Sequence, residues 1–235
     1  MIQYYIDCDG VTFHYVEPFL DFINDLMGKK LYSAKQITQY NIPSCLGMPD
    51  REFFAYLNKY VEKQKFASQP FMDGAIEGIF HIISNTRKTG SVNYITVRPI
   101  GAYLQTIKSI RGFFKTLIKR FYNEDLVLPE DFYRLLLGNY NGTPKWKIIK
   151  VLNEGSSASV LIDDNPEFIH EVMEHCPETL TIWFNHKGFL KNTCHAHVKV
   201  QSWDEVIDIL GDDIKPETIN KLKTASGFGE QLSIL

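Results

Sequence analysis

Ile2-Gln3-Tyr4-Tyr5-Ile6-Asp7-Cys8-Asp9-Gly10-Val11 sets two carboxylates directly behind a β-branched and aromatic run. Residues 2–6 predict a strand, and Asp7 and Asp9 fall in the loop that follows it. Val16, Phe19, Leu20, Ile23 and Leu26 then recur at helical spacing, so an amphipathic helix is expected next. The same order repeats along the chain. A helix beginning near Asp73, with Ala75, Ile76, Ile79, Phe80 and Ile83, leads through a polar turn at Asn85–Gly90 into a strand from Ser91 to Thr96. Residues 102–121 and 144–152 carry helical patterns, and a strand from Ala158 to Ile162 ends at Asp163-Asp164. Asn165-Pro166 restarts a helix through Ile169, Val172 and Met173.

Further strands are expected at Leu126–Leu128, Leu180–Phe184 and His197–Val200, with a terminal helix from Trp203 to Leu210. Residues 131–142 fit either a helix or a strand plus turn, and the tail from Ser226 has no periodicity. Strands alternating with helices predict an α/β fold, a parallel sheet covered on both faces, with its site beyond the carboxyl ends of the strands. Residues 28–70 differ in texture: a Gly/Lys break, the Asn41-Ile42-Pro43 turn signal and a helical pattern through Phe53, Phe54, Leu57, Tyr60 and Val61. They read as a small helical insertion, dividing the chain into a core of residues 1–27 and 71–235 and an inserted unit of 28–70.

A chain of 235 residues buries roughly 70% of its unfolded surface and needs no disulfide or structural metal to hold a core. A formal net charge of -3 argues against a generally basic nucleic-acid binder. Cys8, Cys45, Cys176 and Cys194 form no CxxC pair and no secreted disulfide framework, so a cytoplasmic setting is the default expectation. The start reaches acidic residues at once, unlike a signal peptide, and no stretch approaches the roughly 18 apolar residues of a membrane span.

If the strands are parallel neighbours, Asp7, Asp9, Thr96, Asp163 and Asp164 converge on one edge. Carboxylates held together repel unless a cation neutralises them, and Mg²⁺ prefers such hard oxygen ligands. Lys145, at the start of a predicted helix, supplies positive charge for a carboxylate or a phosphate, with Lys147 as its competitor.

These residues carry a resemblance. Asp7-Cys8-Asp9-Gly10-Val11 resembles the DxDG(V/T) nucleophile motif of the haloacid dehalogenase (HAD) superfamily, most of whose members are Mg²⁺-dependent phosphotransferases. Thr96 matches its second motif, and Thr96-Val97-Arg98-Pro99 is similar to the T-x-R-P form of several branches. Lys145 matches the third motif, and Val160-Leu161-Ile162-Asp163-Asp164 the acidic fourth. The opening motif, the insertion behind it and Ile162-Asp163-Asp164-Asn165-Pro166 are together similar to the deoxyribonucleotidase-like 5'-nucleotidase branch. The resemblance implies a Rossmann-like HAD core with residues 28–70 as a cap.

By that resemblance Asp7 attacks phosphorus and becomes an aspartyl-phosphate, while Asp9 protonates the leaving alcohol and then activates water. Thr96 and Lys145 hold the phosphoryl group, and backbone N–H groups around Gly10 and Arg98 cradle its oxygens. Asp7, the Asp9 carbonyl, Asp163 and Asp164 are the Mg²⁺ ligands, with Asp163 placed ahead of Asp164 as the direct one. The Arg98 side chain is balanced between a phosphate-edge contact and a solvated turn charge.

The expected activity is thus a Mg²⁺-dependent phosphomonoester hydrolase acting on a small phosphorylated molecule, a nucleoside 5'-monophosphate before others. A sugar-phosphate or metabolite phosphatase, a nucleic-acid end phosphatase and a non-catalytic HAD-like binding protein are the alternatives. The cluster Lys108, Arg111, Lys115, Lys119 and Arg120 reads as a solvated helix face before a nucleic-acid site. His195 and His197 lack further zinc ligands. Cys8 is expected to point opposite Asp7 and Asp9. Phe13, Tyr15, Phe19, Tyr40, Phe53 and Phe54 are either stacking platforms for a base or core packing. Oligomeric state is not legible.

Overall fold

The computed structural model describes residues 1–86, 90–122, 134–138, 143–188, 190–191, 193–211 and 214–225. Among them the strands are β1 (Ile2–Ile6), β2 (Gly90–Thr96), β3 (Arg134–Leu137), β4 (Ala158–Asp163), β5 (Thr179–Phe184) and β6 (Val198–Val200). The helices are α1 (Val16–Met27), α2 (Ile42–Leu46), α3 (Asp50–Glu62), α4 (Ala75–Thr86), α5 (Tyr103–Tyr122), α6 (Lys145–Leu152), α7 (Pro166–His175), α8 (Trp203–Leu210) and α9 (Pro216–Ala225).

The strands form one parallel sheet in the order β3-β2-β1-β4-β5-β6. Every residue of β1, β4 and β5 is buried, as expected of strands covered on both faces. One face packs Tyr4, Ile6, Tyr94, Val160 and Ile182 against Ile79 of α4, Phe114 of α5, Trp203 and Val206 of α8, and Ile219 of α9. The other packs Tyr5, Ile95 and Leu161 against Ile149 of α6 and Ile169 and Val172 of α7. The Asn-Pro signal sits where expected: Asn165 accepts from the Glu167 N–H at 2.9 Å and Pro166 opens α7.

A third apolar cluster lies apart from the sheet. It joins Ile37, Ile42, Met48, Phe53, Tyr60 and Phe66 to Phe19, Leu20, Phe22 and Ile23 of α1. Each of these large side chains contributes about 1.5–3 kcal/mol by leaving water. The apolar face of α1 therefore packs with residues 28–66, so packing does not change between residues 27 and 28. Leu26, counted in that face from its spacing, is exposed.

Three expectations differ or lie elsewhere. The chain continues past α8 into α9, whose Ile219 is buried against the sheet; its alternating polar and charged residues weaken the apolar period. The strand expected at 126–128 and the tail from 226 lie outside the described residues. Within the ambiguous stretch 131–142, residues 134–137 form the edge strand β3. No helix among the described residues is long and apolar enough to cross a membrane.

Trp203 locks the loop behind β1. Its Nε1–H donates to the Val11 carbonyl at 2.9 Å, its ring fills the space left by Gly78, and its Cβ lies against Gly74. The loop also closes on itself: Thr12 Oγ1 donates to the Asp7 carbonyl at 2.9 Å, and the Phe13 N–H to the Cys8 carbonyl at 2.8 Å.

Candidate functional site

In the register of the sheet Ile6 lies between Tyr94 and Ile162, so the carboxyl ends of β1, β2 and β4 are side by side. The strand order reverses around β1, where a crevice beyond the strand ends is expected. The Asp7 N–H completes the ladder by donating to the Ile162 carbonyl at 3.0 Å. Asp7 is thereby fixed beside Asp163.

Lys145 enters from the first turn of α6, with its side chain 1% exposed. Its Nζ donates to Asp7 Oδ1 at 2.5 Å and to Asp163 Oδ2 at 2.7 Å. Asp163 Oδ1 accepts from the Asn165 N–H at 2.9 Å. Both Asp163 oxygens are thus engaged, whereas Asp164 Oδ1 is buried with no hydrogen-bond partner. Gly138 clears the path for Lys145, since a Cβ there would lie 2.7 Å from Lys145 Cγ. Gly10 does the same for Asp164: its φ is +79°, and a Cβ there would collide with Asp164 Oδ2. Lys147 is exposed, over the Trp146 ring, and does not reach the site.

Asp7, Asp163 and Asp164 each offer an oxygen within 4.8 Å of the others, and no other such group occurs among the described residues. Burial, followed by the neighbouring Asp163 and Asp9 carboxylates, pushes Asp7 up to about 7 against the pull of Lys145. Burial and then Asp7 and Asp163 hold Asp164 well above the usual carboxylate range. One lysine does not neutralise three carboxylates, and one buried Asp164 oxygen has no partner. This donor set fits a hard divalent cation such as Mg²⁺.

Asp9 is held by different partners. Arg98 Nε donates to its Oδ2 at 2.8 Å and Nη2 to its Oδ1 at 2.7 Å. Gln69 Nε2 also donates to Oδ1, at 3.2 Å. The Arg98 side chain is only 1% exposed; Nη2 also donates to Gln69 Oε1 and Nη1 to Thr106 Oγ1. Phe13 and Phe66 lie on its guanidinium at 5.3 and 4.7 Å. The expectation of a solvated turn charge gives way: the side chain is buried, and four of its five N–H groups are spent on Asp9, Gln69 and Thr106. Its backbone N–H donates to Thr96 Oγ1 at 3.3 Å, and the Gly10 N–H to the Phe13 carbonyl at 2.9 Å.

Above these groups lies a cavity of about 610 Å³ lined by Asp7, Asp9, Gly10, Thr96, Arg98 and Asp164 below and by residues of the 28–66 region above. Tyr15, Tyr40, Phe53 and Phe54 line it, whereas Phe13 and Phe19 are buried in the cores. His14 and His186 line it too, on either side of Asp73 at 3.8 and 3.9 Å; nothing in the spacing of residues 14, 73 and 186 announced that grouping. Gln69 was missed for the same reason.

The side readings resolve. The Cys8 thiol is buried in the sheet core, and burial pushes it far up. His197 Nδ1 meets Thr181 Oγ1 at 2.8 Å rather than a metal group. Lys108, Arg111, Lys115 and Lys119 are exposed along α5, and Arg120 pairs with Glu77.

A HAD family hydrolase from Deinococcus radiodurans R1, solved with bound phosphate and sodium, superposes with a TM-score of 0.58. The alignment covers 87% of this chain and 92% of that one, at 11% identity. The fold is that of the HAD hydrolases. Two further structures of that kind match at lower TM-scores. A haloacid dehalogenase-like hydrolase from Burkholderia xenovorans LB400 gives a TM-score of 0.49 and 13% identity over 87% of this chain and 96% of that one. A HAD-superfamily hydrolase of subfamily IA from Geobacter sulfurreducens PCA gives 0.47 and 17% over 89% and 100%. Scans against known protein families and against curated proteins find no match. The HAD-like core accordingly rests on strand order and superposition.

Proposed function

We propose that this protein is a Mg²⁺-dependent phosphomonoester hydrolase of the HAD superfamily, acting through an aspartyl-phosphate on Asp7. The observation that carries the reading is the convergence of Asp7, Asp163 and Asp164, with Lys145 paired to the first two and with Asp7 and Asp164 lining one cavity. Asp7, Asp164 and the Asp9 carbonyl would hold Mg²⁺. Asp164 is preferred over Asp163 as the direct ligand, because both Asp163 oxygens already have donors and Asp164 Oδ1 has none. The ion would supply charge to offset the phosphoryl oxygens.

The chain's own groups do the rest. A carboxylate oxygen of Asp7 attacks phosphorus as the P–O ester bond breaks, and Asp9 gives its proton to the departing alkoxide. Water then attacks the phosphoaspartate, its proton passes to Asp9, and the bond to Asp7 breaks to release phosphate. Thr96 Oγ1 and Lys145 hold the phosphoryl group, with the Gly10 and Arg98 N–H groups turning from their internal acceptors to its oxygens.

Residues 28–70, packed with α1, act as the cap. A nucleoside 5'-monophosphate is the preferred substrate: the cavity has the size of a small-molecule site, and Tyr40 and Phe54 remain 37% and 56% exposed where a flat base would stack. A cytoplasmic setting suits such a metabolite enzyme.

The test is phosphate release from deoxyribo- and ribonucleoside monophosphates, sugar phosphates and a 5'-phosphorylated oligonucleotide, with Mg²⁺ or EDTA and with Asp7→Asn. Mononucleotide release that needs Mg²⁺ and Asp7 is the expected result. Preference for the oligonucleotide would give the exposed α5 stripe a binding role. No release from any substrate by folded protein sinks the hydrolase.

A further inference from the structure

We propose that Arg98 and Gln69 are positioning residues that assign the two Asp9 oxygens different tasks and leave Oδ2 to handle the proton. The inference rests on Asp9 being the proton-transfer group proposed above.

An ionised carboxylate has about four acceptor positions, two on each oxygen. Oδ1 accepts from Arg98 Nη2 at 2.7 Å and from Gln69 Nε2 at 3.2 Å, which fills it. Oδ2 accepts only from Arg98 Nε, at 2.8 Å, and keeps one position open. The Asp9 side chain is 23% exposed and lines the cavity, so that position has a route to a ligand. Rotation of the carboxylate would break two charge-assisted bonds at once.

The clamp is itself held. Arg98 Nη1 is anchored on Thr106 of α5, and the guanidinium lies over the rings of both Phe13, in the loop that carries Asp9, and Phe66, at the end of the 28–66 region. Gln69 bonds both Arg98 and Asp9. Orientation of the Asp9 oxygen is thus tied to the segment through which the cap rejoins the core. Lysine at position 98 would keep a charge but lose the two-pronged geometry.

The test compares wild type, Asp9→Asn, Arg98→Lys and Gln69→Met on an alkyl phosphate and on 4-nitrophenyl phosphate, whose leaving group needs little protonation. The readout is kcat/KM, which reports steps through leaving-group departure, with folding followed by circular dichroism. Gln69→Met leaves the ion pair in place and covers the case in which Arg98→Lys fails to fold. The expected result is a loss at least about tenfold larger on the alkyl phosphate than on the nitrophenyl ester in both positioning variants, in the same direction as Asp9→Asn. Equal losses on both substrates, or none, while Asp9→Asn remains selective, overturn the inference alone. An inactive wild type or an unselective Asp9→Asn overturns the functional reading and the inference with it.

Discussion

Lys145 Nζ lies 2.5 Å from Asp7 Oδ1, although 138 positions separate the two residues in the chain. Both are buried, and the same ammonium also meets Asp163. The pair joins the first turn of α6 to the loop after β1, so one ion pair couples the folding of the site to closure of the sheet.

Removing that ammonium should therefore cost stability as well as activity. Lys145→Met leaves Asp7 and Asp163 buried without their shared donor, and breaking a buried pair costs about 3–5 kcal/mol. Urea unfolding should show a loss of that order, and adding Asp163→Asn should recover part of it. Additive losses in the double variant would contradict the shared role.

Divalent cation should stabilise the folded chain. A ligand that binds only the native state at about 100 times its Kd contributes about 2.7 kcal/mol. A Tm that rises with Mg²⁺ in wild type and stays level in Asp164→Asn is expected. An equal rise in both would move the ion away from Asp164.

Much of this was legible because strand ends in an α/β sheet are set by short apolar runs. The residues after Ile6, Ile95 and Ile162 could be placed on one edge before any coordinates. Cys8 was correctly turned into the core by strand alternation. The fate of Arg98 was not legible, because Phe66 and Gln69 reach it from one segment and Thr106 from another, and none has a spacing relation to Thr96. The choice between Asp163 and Asp164 was equally hidden, since it depends on the Asn165 N–H and on Lys145 filling both oxygens of the former. α9 escaped because a helix that buries chiefly Ile219 leaves little apolar period to read.

Gly10→Ala tests the close approach. The φ of +79° costs an L-residue about 1–2 kcal/mol, and the new methyl would push against Asp164. The variant should fold with a lowered Tm and lose most of its Mg²⁺-dependent gain. A retained gain would mean that Asp164 moves without consequence.

The pH dependence of stability should carry a signature from His197. Burial lowers it to about 4, and its Nδ1 accepts from the Thr181 N–H at 3.2 Å, which requires that nitrogen unprotonated. The unfolded chain takes up a proton below about 6.5 while the folded one does not until about 4. This contribution is whole above pH 6.5 and is lost as pH falls towards 4. His197→Asn keeps an acceptor and removes the titration, so wild type minus variant should slope through that window; a flat difference would refute the assignment. Taking the difference cancels the carboxylates common to both proteins.

The bond from Trp203 to the Val11 carbonyl has a temporal meaning. The indole that braces the loop bearing Asp7 and Asp9 is synthesised 192 positions after the Val11 carbonyl it binds. During synthesis the loop emerges long before its brace, and the site reaches its final form only when α8 has left the ribosome and docked. A nascent chain therefore carries these carboxylates across that whole interval without the brace that fixes their loop.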